Sequence, residues 1–210
     1  MAGGGIPGRP LAMGERFNLQ IHYYRKDNPG DAVFSVFIAA LFRPGRLFVD
    51  MPRATGFRDS TRLMAMYMSL PLLMASMLTG IISAVVIVPV GLAVGLGTSW
   101  LWAVWLAWAA RTFTCTPLST ADTFQICAYS TPPLAIAWGP YLGPLMALWN
   151  LFLNWRGLVV HGGMGRISAL GIIIAGIVGL AAIITVLAGL LYLLAPASMA
   201  LLMDTVQQLQ

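Results

Sequence analysis

Charge is what this 210-residue chain has least of. Asp, Glu, Lys and Arg together make up 9% of it, where an ordinary soluble domain carries about a quarter. Twelve basic and seven acidic side chains cannot cover a globular surface, and the shortage also excludes a disordered chain and a coiled coil. The basic residues never gather into a block of five or six, so a pI near 9.7 does not point to nucleic acid. Cysteine is equally scarce. Cys115 and Cys127 flank a short polar loop, too few for a disulfide scaffold, and with eleven residues between them and no histidine nearby they make no metal site. They read as small residues, one at a helix end and one inside a helix. The two histidines, His22 and His161, stand before and at the edge of the apolar runs, so a haem held between two histidines is excluded. What the chain does have is 59% hydrophobic residues and a mean hydropathy of +0.81. The composition reads as an all-α integral membrane protein.

Three stretches carry no charged residue: Leu63–Ala110, Thr123–Trp155 and Ile167–Met203. A spanning helix needs about 20 residues. The first stretch therefore holds two helices, divided near Val88–Gly97, where Pro89, Gly91 and Gly95 weaken helix. The second holds two short ones, turning at Gly139-Pro-Tyr-Leu-Gly-Pro144. The third holds one, roughly 168–194, ended by Pro196. Five crossings agree with the distribution of basic residues. Arg9, Arg16, Arg25, Lys26, Arg43, Arg46, Arg53, Arg58 and Arg62 precede the first run, while Arg111, Arg156 and Arg166 edge the later ones. With the N-terminus in the cytoplasm, all twelve fall on one side. Trp100, Trp102, Trp138, Tyr141, Trp155 and Tyr192 then lie at headgroup level, where such rings anchor helices.

Four regions follow. Residues 1–30 have no apolar core, so they read as a flexible cytoplasmic tail and not as a cleaved signal. Residues 31–62 read as an interfacial amphipathic segment: Asp31 caps a helix over Ala32–Phe42 that is too short to span, Pro44 interrupts it, and Arg46–Met51 continue it along the cytoplasmic leaflet. Residues 63–195 hold the five-span membrane domain. Residues 196–210 form an amphipathic outer tail, with Met199, Leu202, Met203, Val206 and Leu209 on one face.

The chemistry of catalysis is missing. No ionisable residue lies in the middle of a span, where one would flag function, so intramembrane proteolysis and a proton relay lack their residues. No enzyme activity, catalytic residue, metal or cofactor is expected. Met64, Met66, Met68, Met74 and Met77 crowd the first span as flexible packing. His161-Gly-Gly-Met-Gly165 is a turn rather than a phosphate loop, having no preceding strand. Gly91-x-x-x-Gly95 is compatible with close helix packing and equally with the outer turn. The informative part is 119–166. Ser119 with Asp122 makes a helix start. Tyr129-Ser-Thr-Pro-Pro133 then removes backbone donors and frees carbonyls that Tyr129, Ser130, Thr131 or a neighbouring helix must satisfy. Asn150 and Asn154, one turn apart, can donate across that interface, giving a polar seam.

Ala128-Tyr129, Pro132 and Pro133, then Gly139-Pro140 and Gly143, then Gly157 and His161, resemble in order and spacing the YIP (Ypt-interacting-protein) family of membrane proteins. Leu41-Phe-Arg-Pro-Gly-Arg-Leu-Phe48 with Met51-Pro52 resembles the Pro-containing segment before the first span of prokaryotic-type members. The likeness covers about residues 33–190 and departs at the polar loop 112–120. It implies a non-enzymatic five-span protein; eukaryotic members are tied to Rab/Ypt-type GTPases and early secretory traffic. The leading expectation is a membrane-organising scaffold or adaptor in a prokaryotic inner membrane, touching lipids and other membrane proteins, or itself, through Arg43, Arg46, Arg53, Arg58 and Arg62. Two alternatives stand beside it. One is a small transporter or channel along Tyr129, Ser130, Thr131, Asn150 and Asn154; the other is an accessory subunit of an energy-converting complex.

Overall fold

The computed structural model describes residues 29–49, 51–52, 56–79, 81–137 and 141–208. Among these the chain is helical throughout, with no strand. In order come α1 (Pro29–Phe42), α2 (Pro44–Leu47), α3 (Arg58–Thr79), α4 (Ile81–Thr114), α5 (Thr120–Ser130), a 3₁₀ helix (Pro132–Ile136), α6 (Leu142–Val160) and α7 (Arg166–Gln208). Among the described residues two helices are long and apolar enough to cross a membrane, over Val85–Thr114 and Arg166–Leu190.

α3 and α4 pack against each other as an antiparallel pair. Gly91 lies against Leu72 and Gly95 against the Met68 sulfur, so close that a Cβ would stand 2.6 and 2.9 Å from them. This corrects the division expected near Val88–Gly97. Those residues are continuous helix, and the two glycines serve as the close-packing face. Glycine and proline interrupt a helix where water can take the freed backbone groups. Here the helix continues instead, with Pro89 inside α4.

The remaining helices alternate in direction. Thr123 Oγ1 of α5 donates to Ala103 O of α4 at 2.9 Å. Asn150 of α6 reaches Ser130 of α5, and Gly157 lies against Ile126. On α7, Gly176 makes room for Trp102 and Trp105 of α4, and Trp105 Nε1 donates to Ile172 O at 3.4 Å. Trp102 is therefore part of a helix contact rather than a headgroup anchor, whereas Trp100 is exposed. Trp155 Nε1 donates to Arg166 O at 3.0 Å.

α1 and α2 differ from the flat interfacial segment expected of residues 31–62. Val36, Ala40, Leu47 and Phe48 are fully buried, and α1 packs against the 3₁₀ helix and α5. Trp149 Nε1 of α6 donates to Ala40 O at 3.0 Å, one of the last-turn carbonyls that a helix leaves open. Tyr67 Oη of α3 donates to Val33 O at 2.6 Å. The run that is too short to span thus buries one face, Ser35, Val36, Ala39 and Ala40, against the helix array, while Phe34 and Phe42 stay exposed. Asp31 lies in the first turn of α1 and not at its cap.

At the other end α7 continues through Pro196 to Gln208, where a stop at the proline was expected. Proline removes one backbone hydrogen bond, and the alanines on either side favour helix. The tail 1–28, Arg53, Trp138, Gly139, Pro140 and Leu209 lie outside the described residues, as do the side chains of Met199, Leu202, Met203 and Val206.

Candidate functional site: a polar seam and an arginine end

The capping box that opens α5 is formed as its residues imply. Ser119 Oγ accepts from Asp122 N at 3.1 Å, and Ser119 N donates to Asp122 Oδ2 at 3.3 Å. From Thr123 to Ser130 every residue is buried, and Thr131, Pro132 and Pro133 after them. The two prolines end α5 and tighten the chain into the 3₁₀ helix. Ser130 Oγ and Thr131 Oγ1 turn back onto their own helix, donating to Ile126 O at 2.7 Å and Cys127 O at 2.8 Å. The carbonyl of Ser130 is taken across the interface by Asn150 Nδ2 at 2.7 Å. Asn154 Nδ2 in turn donates to Asn150 O at 2.9 Å and to Asn150 Oδ1 at 3.2 Å. Tyr129 is buried beside this seam, and Ala128 is fully buried in the core.

One acceptor in the seam is left over. Asn154 is 2% exposed, and its Oδ1 is buried with no donor among the described residues. The same holds for Gln125 Oε1, whose Nε2 donates to Pro52 O at 3.0 Å. Asn150 and Asn154 also wall a cavity of ≈250 Å³ between α3 and α7. Nothing in the sequence signalled the cavity, because its other walls come from ordinary Met, Trp, Cys and Ile residues on separate helices.

Gly157 lets α6 pack closely on its neighbours: a Cβ there would meet Ile126 and, at 3.1 Å, the Phe48 ring. Gly143 sits in the first turn of α6. His161 caps the C-terminus of α6 through its backbone N–H to Gly157 O at 2.9 Å. Gly163, with φ +67°, turns the chain into α7. Cys115 is exposed and also left-handed, with φ +53°, ending α4; Cys127 is buried.

Because the helices alternate, all seven described arginines come to one end of the bundle. They are Arg43 and Arg46 after α1, Arg58 and Arg62 opening α3, Arg111 closing α4, Arg156 near the end of α6 and Arg166 opening α7. Arg62 pairs with Asp59 at 3.8 Å, an exposed contact of small energetic weight. Arg111 Nε donates to Ala107 O at 3.1 Å, and the Arg156 guanidinium lies over Gly45. Arg111, Arg156 and Arg166 thus belong to the same face as the arginines expected to contact partners. Among the described residues no group of three His, Cys, Asp or Glu side chains comes together.

No family model, curated protein or solved structure matches the chain.

Proposed function

We propose that the chain is an integral membrane helical bundle, acting without catalysis as a scaffold or adaptor that presents its arginine end to anionic partners or lipid. One observation supports it above the others: the arginines gather at one end while the long flanks of α4 and α7 carry exposed Val, Leu and Ile. That is the arrangement a bilayer imposes. On this reading α3, the α5–3₁₀ rod and α6 cross as well, giving five spans. The arginine end faces the cytoplasm of a prokaryotic inner membrane, and α1 reaches into the bundle beside them. The YIP-like order of Ala128-Tyr129, Pro132-Pro133 and Gly157 is in keeping with such a role.

Two measurements test it. Cys115 is exposed at the arginine end and Cys127 is buried, so the natural chain carries its own topology probe. A membrane-impermeant maleimide is expected to label Cys115 in inside-out vesicles and not in right-side-out ones; labelling from the outside overturns the orientation. For the adaptor role, a protein that co-purifies at fixed stoichiometry is expected to be lost when Arg43, Arg46, Arg58 and Arg62 are all changed to Glu. Unchanged association sinks it.

A further inference from the structure

Five helices and the 3₁₀ helix contribute to the cavity beside the seam, including Met68 of α3, Trp102 of α4, Cys127 of α5, Asn150 of α6 and Ile177 of α7. No charged side chain lines it. Most polar groups on its walls are spent within the protein. The Thr98 and Thr131 hydroxyls donate one turn back, to Val94 O and Cys127 O. Asn154 donates to Asn150, and Asn150 gives one of its two N–H hydrogens to Ser130 O. Two donors on α4 are different. Ser99 Oγ and Trp102 Nε1 have no hydrogen-bond partner among the described residues. Neither is sealed in, since the buried side-chain atoms without a partner are Gln125 Oε1 and Asn154 Oδ1. Three residues apart, Ser99 and Trp102 share one face of α4, and both line the cavity.

Depth gives these open donors their meaning. The apolar stretch of α4 runs over Val85–Thr114, and Ser99 and Trp102 stand at its middle. On the membrane reading neither water nor a lipid headgroup reaches them there. An indole N–H can only donate, and hydrocarbon offers it no acceptor. We infer that the cavity binds a neutral, largely apolar carbonyl compound, of the ketone or quinone class, whose oxygen accepts from Ser99 Oγ and Trp102 Nε1. A carbonyl oxygen has two lone pairs and serves both donors at once. A plain hydrocarbon leaves both open. A carboxylate is excluded because no cation lines the space to offset its desolvation. Size sets a further limit. An apolar cavity of roughly 150 Å³ holds a benzene ring, so ≈250 Å³ accepts a substituted ring of about ten non-hydrogen atoms. Thr98 of α4 and Ile177 and Leu180 of α7 line the cavity and are also exposed, which puts its mouth on the flank between those helices. The depth argument and a sideways entry from the bilayer rest on the membrane reading; the cavity and its two open donors do not.

Fluorine NMR on the full chain, in an alkyl maltoside detergent that carries no carbonyl, tests this with two probes of nearly equal shape. One is 4-fluoroacetophenone; the other is 4-fluoro-α-methylstyrene, in which a methylene replaces the carbonyl oxygen. The ketone is expected to give a saturable bound signal and to bind about tenfold more tightly than the alkene, the worth of one buried hydrogen bond with its desolvation. Its carbonyl stretch in the infrared is expected at lower wavenumber when bound than in hexane. Ser99→Ala with Trp102→Phe removes both donors and is expected to bring the ketone down to the level of the alkene. Ile177→Trp, at an exposed position on the rim, is expected to weaken both probes, with the thermal unfolding midpoint confirming the fold of each variant. Equal binding of the two probes by the wild type overturns the site, as does an unshifted carbonyl band or no saturable signal at all. A ketone preference that survives the double variant overturns it too, as do probes that Ile177→Trp leaves untouched. Should the double variant not fold, the probe pair and the carbonyl band on the wild type still decide. Retention of the same chain in membranes after a carbonate wash is scored separately. A retained chain without ketone selectivity loses the site alone; a selective chain that washes off keeps the site and loses the sideways route.

Discussion

α5 and α7 carry opposite compositions and opposite burials. α5 holds Thr123, Gln125, Tyr129 and Ser130, and all of them are buried. From Ile174 to Leu190 α7 is almost entirely Ile, Leu, Val, Ala and Gly, and all of it is exposed except Gly176. A fold in water places these residues the other way round, since burial of apolar area is its chief driving force. The contrast supports the membrane reading proposed above. On that reading lipid tails replace water, an exposed isoleucine costs nothing, and helices associate through small residues and interhelical hydrogen bonds. α5 supplies the hydrogen bonds, to Ala103 on one side and from Asn150 on the other. α7 supplies one close contact, Gly176 under Trp102 and Trp105.

The contrast breaks most sharply at Ile184, on the exposed flank of α7. Ile184→Lys is expected to cost about 3 kcal/mol of insertion free energy if that flank meets lipid, read as the fraction of chain retained in membranes after a carbonate wash. Were the flank in water, the same change would raise soluble yield instead. Next in size is the seat of α7 on α4. Gly176→Leu places a side chain where a Cβ alone already comes within 2.5 Å of Trp105 Nε1; it is expected to destabilise the bundle by about 2–3 kcal/mol. Gly179→Leu, three residues on with nothing within 4 Å, is expected to leave the unfolding midpoint in detergent unchanged. Equal effects at both glycines would show that α7 does not dock through Gly176. The smallest change is in the seam. Asn150→Leu leaves the Ser130 carbonyl without its partner, at an expected cost of about 1–2 kcal/mol. An unfolding midpoint equal to that of the wild type would mean that the link between α5 and α6 is not a hydrogen bond that matters.

Much of the site could be read along the chain because it is local. Ser119 and Asp122 are three residues apart and make their cap within one turn. The prolines at 132 and 133 withdraw donors wherever they stand, so the end of α5 and a call on neighbouring donors follow from covalent structure. The spacing of Asn150 and Asn154 puts both on one face of α6. Other features were illegible for an equally physical reason. Gly91 and Gly95 look alike in a turn and in a helix contact; only Leu72 and Met68 on the partner helix decide between these. The short apolar run of α1 does not say which of its faces is covered; Trp149 and Tyr67, far along the chain, hold one face of it against the bundle while Phe34 and Phe42 stay exposed. Pro196 marks a helix end by habit of soluble folds, and α7 passes through it.

The sequence by itself determined that the molecule is helical, that it is nearly devoid of charge outside one set of arginines, and that its longest apolar runs need an apolar surrounding. These are properties of side chains and of backbone hydrogen bonding, and they hold before any two helices meet. Only the tertiary structure decided that Gly91 and Gly95 face α3, that α1 buries one face against the array, that the seven described arginines share one end, and that Asn154 keeps a buried acceptor without a donor among the described residues. Each of those depends on which residues distant in sequence come within a few ångströms, and packing between helices, not the pattern along any one of them, sets that distance.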